Sequence, residues 1–107
     1  MSEIFERIRD LVKKGSVRIS EHGYDELSVD GLTARELVNG VATGEMLENY
    51  PDFRKGPCCL VLQYDSDGSP IHAVWGVPKG YDSPAVLVTA YRPSAEKWTS
   101  DFRRRRK

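Results

Sequence analysis

A chain of 107 residues, 39% hydrophobic and 30% charged, has the composition of one folded domain and excludes a disordered or fibrous protein. No apolar run approaches the roughly 20 residues of a spanning helix, and the start Met1-Ser2-Glu3-Ile4-Phe5 lacks the basic and apolar regions of a signal peptide, which predicts a cytoplasmic protein with no membrane partner. The formal charge of zero hides a division, with 11 acids and 6 bases in residues 1–52 against 5 acids and 10 bases in residues 53–107; the second half offers either a basic surface for an anion such as nucleic acid or a solvated tail.

Ser2 can cap a first helix in which Ile4, Phe5, Ile8, Leu11 and Val12 recur at helical spacing, with Gly15 as its stop after Lys13-Lys14. Val17-Arg18-Ile19 reads as a short extended link. Ser20 can cap a second helix through Glu21, His22, Tyr24 and Leu27, which Gly23 weakens. Asp30-Gly31 marks a turn, and Thr33-Ala34-Arg35-Glu36 has the form of a capping box ahead of Leu37, Val38 and Val41, a third helix ending near Gly44. The period then changes to that of strands, over residues 45–50, 58–64, 71–77 and 85–91. Asp65-Ser66-Asp67-Gly68 forms a hairpin turn, and 51–57 and 78–84 are longer loops. Short links between consecutive strands predict antiparallel pairing. Ser94 is the expected cap of a C-terminal helix over residues 95–104, anchored by Trp98 and Phe102 on one face.

The expected fold is therefore α+β in a single domain: N-terminal helices, then an antiparallel sheet of about four strands, then a C-terminal helix. Leu60-Val61-Leu62 and Val86-Leu87-Val88 are apolar on both faces of their strands, so both sides of the sheet should be covered. The helices would cover one. The other would be a shallower surface of loops and the last helix, where a ligand could lie.

The only cysteines, Cys58 and Cys59, are neighbours that point to opposite faces of a strand, which gives neither a disulfide nor a zinc site. The carboxylates show no metal-ligand spacing, so no metal or cofactor is expected. His22 and His72 are the side chains best suited to move protons near neutral pH, as base and acid. Their plainer roles would be a helix tie for His22 and a hydrogen-bonded sheet residue for His72. Arg54-Lys55, Tyr91-Arg92, Lys97 and the run Arg103-Arg104-Arg105-Arg106 offer fixed cations and a phenol for the charge that a phosphodiester transition state gathers on its oxygens. Tyr24, Tyr50, Tyr64, Tyr81 and Trp98 can stack on unpaired bases or pack into the domain.

The pieces Ile19-Ser20-Glu21-His22, Glu45 to Pro51, Pro70-Ile71-His72-Ala73-Val74, Thr89-Ala90-Tyr91-Arg92-Pro93, Lys97-Trp98 and Asp101-Phe102-Arg103, in this order and spacing, resemble the small bacterial family called domain of unknown function 4258. Members often follow Ser-x-His with a helix bearing an Arg and an Arg-Gly turn, where this chain has Asp25, Glu26 and Asp30-Gly31. The resemblance implies kinship with RelE-like and barnase-like RNA-cleaving folds and with toxins of toxin–antitoxin pairs. Residues 8–27 are also similar to the start of the MqsR toxins, whose partner is a zinc-ribbon antitoxin with a helix-turn-helix domain. Carried over by position, the catalytic set would be His22, His72, Tyr91 and Arg92; Arg54 and Lys55 are added on their chemistry alone, and with Lys97, Arg103 and Arg104 they would meet the RNA. The expected activity is a metal-independent RNA endonuclease, the toxin of a type II pair; the alternative is a non-catalytic module that binds protein or nucleic acid.

Overall fold

The computed structural model describes residues 3–106, so the expected Ser2 cap lies outside the described residues. Helix α1 (Glu3–Lys13) has acids in its first turn and Lys13 in its last, which suits the helix dipole, and it buries Phe5 and Ile8. Gly15, at φ +80, ends it. The next three residues are a strand, β1 (Val17–Ile19), and not a link. Helices α2 (Glu21–Val29) and α3 (Ala34–Gly40) follow, and a 3₁₀ turn (Val41–Thr43) takes up the rest of the expected third helix. Strands β2 (Glu45–Tyr50), β3 (Cys58–Tyr64), β4 (Pro70–Gly76) and β5 (Ala85–Tyr91) complete the fold.

The sheet has five strands in the order β1-β5-β4-β3-β2. It is mixed, which corrects the expectation of an antiparallel sheet of about four strands: β1 runs parallel to β5, with Val17 opposite Ala85 and Ile19 opposite Leu87. A three-residue strand carries too little periodicity to announce itself. It forms because β5 presents a row of unpaired backbone groups that β1 satisfies.

Two local signals act through the sheet. The Ser20 hydroxyl accepts from Gly23 N at 2.9 Å to cap α2, and donates to Val88 O at 2.8 Å, which ties the helix start to β5. Gly23, a weak helix former, is required there because a Cβ would come within 2.9 Å of Leu87 O. The Thr33 capping box is present, with Glu36 N donating to Thr33 Oγ1 and Thr33 N to Glu36 Oε1.

One sheet face packs Cys59, Val61, Ile71, Ala73, Trp75, Leu87 and Ala90 against Phe5, Ile8, Leu27, Leu37 and Val41 in the core. A buried polar triad crosses it: Trp75 Nε1 donates to Gln63 Oε1 at 2.7 Å, and Gln63 Nε2 donates to Leu37 O at 2.9 Å, so neither buried dipole is orphaned. The opposite face carries Leu60, Leu62 and His72, all buried.

The C-terminal helix expected over 95–104 does not form, so Ser94 caps no helix. Thr99 N donates to Arg104 O and Arg106 N to Lys97 O, both at 2.8 Å, around a bridge between Trp98 and Arg105; the chain doubles back as a small hairpin. Phe102 has φ +61, outside any helix. Long-range partners outweigh the local 3.6 period here. Arg103 reaches Glu45 at 2.8 Å, Arg105 reaches Glu48 at 3.1 Å, and the Phe102 carbonyl bonds His72.

Candidate functional site

The structure divides the residues expected to carry chemistry between two places. The first is a groove of about 540 Å³, within the roughly 300–1,000 Å³ range of ligand sites, lined by Arg18 of β1, Ser20, Glu21 and His22 at the start of α2, Phe53 and Lys55 of the 51–57 loop, and a floor that includes Cys58, Val86 and Val88. Gly56 shapes one lip. At φ +136 it adopts a conformation that side chains rarely take, and a Cβ there would overlap Val77 O, so the loop lies directly on the end of β4.

His22 has a side chain 66% exposed to solvent, and Glu26 Oε1 lies 3.5 Å from its Nε2 one helical turn on. Lys55 shares the groove, and Arg54 beside it is exposed. Sequence reasoning missed Arg18, Glu21 and Phe53. The signal for Arg18 would have been its place in a strand, which the three-residue length concealed; Phe53 and Glu21 could be found only by knowing that loop and helix start meet. Burial pushes the thiol of Cys58, on the floor, up and so disfavours its thiolate, and burial drives Cys59 to about 12.

The second place surrounds His72. Its side chain is 0% exposed. Nε2 lies 2.8 Å from Phe102 O, and since a carbonyl only accepts, the ring proton is on Nε2. Nδ1, 3.3 Å from Tyr91 Oη, is then the acceptor and the Tyr91 hydroxyl donates to it. Trp98 meets the ring edge-on at 4.2 Å between centroids, and the Arg105 guanidinium lies 4.7 Å over the Trp98 ring. Arg105 pairs with Glu48, which also accepts from the Tyr50 hydroxyl. His72 and Tyr91 thus lie together under the C-terminal segment.

Arg92 is engaged elsewhere. Its Nη2 meets Asp65 Oδ2 at 2.6 Å and its Nη1 meets Pro70 O at 3.2 Å, while its backbone N donates to Asp30 Oδ2 at 2.9 Å. The side chain therefore pins the β3–β4 turn to the end of β5. Asp65 is more than a turn residue: its Oδ1 accepts from Asp67 N and Ser69 N, and these bonds, Ser69 first and then Arg92, hold its carboxyl below the usual range. Arg103 pairs with Glu45 and Asp101, Arg104 and Lys97 are exposed, and neither Lys97 nor Arg104 lines the groove. Folding thus sets two bases of the basic half against acids of β2. Among the described residues, no three His, Cys, Asp or Glu side chains converge as metal ligands, and no helix is long and apolar enough to cross a membrane.

Burial holds His72 below the ordinary histidine value of 6.5, with the Phe102 carbonyl opposing it, Arg105 lowering it further and Glu48 raising it. The folded chain then binds fewer protons than the unfolded chain once pH falls below 6.5, so the stability that neutral His72 contributes is complete above that value and declines beneath it. Glu48, held down first by Arg105, and Asp65 add their losses only in more acid solution. The denaturant midpoint should therefore fall as pH is lowered through 6.5. His72→Gln, which keeps a donor and an acceptor, should flatten this limb of the profile and leave the more acid limb; an unchanged slope would remove His72 as its source.

The model of a family described as a domain of unknown function (DUF4258) matches residues 19–92, a span that includes His72 and the groove except for Arg18, but neither α1 nor the C-terminal hairpin. No curated protein and no solved structure matches the chain.

Proposed function

The chain belongs to the DUF4258 family, and from that premise we propose that it is a metal-independent RNA endonuclease acting in the groove between α2 and the 51–57 loop. One observation carries this reading: the groove gathers a carboxylate (Glu21), an imidazole (His22) and a cation (Arg18) from one short segment and a second cation, Lys55, from a loop more than 30 residues later. These are the groups that phosphodiester transfer requires. Glu21 takes the proton of the ribose 2′-hydroxyl, whose oxygen attacks the adjacent phosphorus. Arg18 and Lys55 stabilise the charge on the non-bridging oxygens. The bond from phosphorus to the 5′-oxygen breaks, and His22 protonates the leaving oxygen. The products are a 2′,3′-cyclic phosphate and a 5′-hydroxyl.

In this reading His72 and Tyr91 position the C-terminal hairpin, and Arg92 positions the β3–β4 turn. As part of the same proposal the chain is the toxin of a toxin–antitoxin pair with an antitoxin as its protein partner, a reading supported by the resemblance to RelE-like, barnase-like and MqsR-like proteins. A non-catalytic RNA- or protein-binding module is the second reading, favoured by one observation: His72, the histidine of the sheet, is sealed from solvent.

Cleavage of an unstructured RNA should proceed undiminished in EDTA and leave cyclic-phosphate ends, as seen by gel and mass spectrometry. Cleavage that stops in EDTA and returns with magnesium or zinc would overturn the mechanism. No cleavage with or without ribosomes would leave the binding module.

A further inference from the structure

We propose that the groove receives a single unpaired nucleotide, its base against Phe53 over the apolar floor and its flanking phosphates on Arg18 and Lys55, so that the ligand is single-stranded and not duplex RNA. The proposal rests on reading the groove as the RNA site. It stands on the make-up of the two lips and the floor.

Phe53 is 49% exposed on a loop, outside the core cluster that holds Phe5 and Trp75. A ring left half in water beside a groove offers a flat face to a partner. The floor is apolar, from Val86, Val88 and Pro78, and it includes Gly76. A Cβ on Gly76 would meet Pro57 O at 2.9 Å and Cys58 Cβ at 3.0 Å, so the floor admits no side chain at that position. Both cations are on the rims and both are exposed, Arg18 on the β1 side and Lys55 on the loop side.

A base fits such a slot because it has an apolar π-face and carries its charge outside, on the two phosphates. In a duplex both faces of every base are stacked and the edges paired, so only the backbone could meet the rims. An extended peptide would place backbone N–H and C=O groups over the Val86 and Val88 floor without partners.

The experiment uses the full chain and an oligonucleotide of about eight 2′-O-methyl nucleotides, which has no 2′-hydroxyl to attack and cannot be cleaved, read by fluorescence anisotropy. The single strand should bind at least about tenfold more tightly than the same strand annealed to its complement. Phe53→Ala should weaken the single strand by about 5- to 150-fold, the range for loss of one stacked base, and leave the duplex unchanged. Phe53→Trp should restore binding. Lys55→Ala should reduce the salt slope by about one. Equal binding of strand and duplex, a silent Phe53→Ala, or no binding to either would overturn the proposal, the last pointing to a protein occupant. The outcome is separable from cleavage: an uncleavable strand that binds as described beside a natural strand that is never cut sustains the nucleotide site and ends the nuclease, and a cut strand with a silent Phe53 does the reverse.

Discussion

His22→Ala should slow single-turnover cleavage of an unstructured RNA by about 10²- to 10⁴-fold and leave the unfolding midpoint where it was. The two halves of this result come from one geometry. A group that protonates the leaving oxygen in the transition state contributes in that range, and no other imidazole lines the groove to replace it. The ring is mostly in solvent and its recorded partner is Glu26 at 3.5 Å, an exposed pair of the kind worth little to stability. Glu21→Gln should fall in the same range, since it removes the base and keeps the shape. His72→Gln is the informative contrast. A sealed ring cannot reach a phosphate, so this variant should change stability and pH dependence more than rate. If His72→Gln abolishes cleavage with its fold intact while His22→Ala cleaves at the parent rate, the chemistry belongs to the sheet face and the C-terminal hairpin must open to expose it.

Trp98→Ala should cost about 3 to 5 kcal/mol, measured as a fall in the denaturant midpoint. Trp98 is 3% exposed and joins the hairpin to the sheet: its ring meets His72 edge-on, and its face carries Arg105. Removing it takes from His72 its edge-on aromatic neighbour and from Arg105 the ring beneath its guanidinium. Trp98→Phe, which keeps an aromatic edge against His72, should recover most of the loss. An unchanged midpoint for Trp98→Ala would show that the hairpin is no part of the cooperative unit.

The removal of residues 103–107 is correspondingly no simple subtraction of a charged tail. Arg103 and Arg105 hold Glu45 and Glu48, so a truncated chain would uncover two carboxylates on β2 as well as losing bases. Charge counted along the sequence placed a basic half beside an acidic half; the fold brings parts of the two together.

What the sequence determined by itself was local. The spacing of Ile4, Phe5, Ile8 and Leu11, the stop at Gly15, the Ser20 cap and the Thr33–Glu36 capping box each act within a few residues, so they could be read before any tertiary contact was known. The four later strands were legible for a similar reason, since strand-forming runs of six or seven residues bounded by turn signals need no partner to be seen. His22 and Lys55 were also recognisable as candidates from side-chain chemistry alone. What the tertiary structure decided was every feature whose stabilising partner is far along the chain. Val17–Ile19 becomes a strand because β5 has a free edge nearly 70 residues later. Residues 95–104 abandon their helical spacing because His72, Glu45 and Glu48 offer the Phe102 carbonyl and the two arginines better partners than a helix turn could. The groove exists only because α2, β1 and the 51–57 loop converge, and it is this convergence that separates His22 in solvent from His72 beneath Trp98, two histidines that sequence alone made equal.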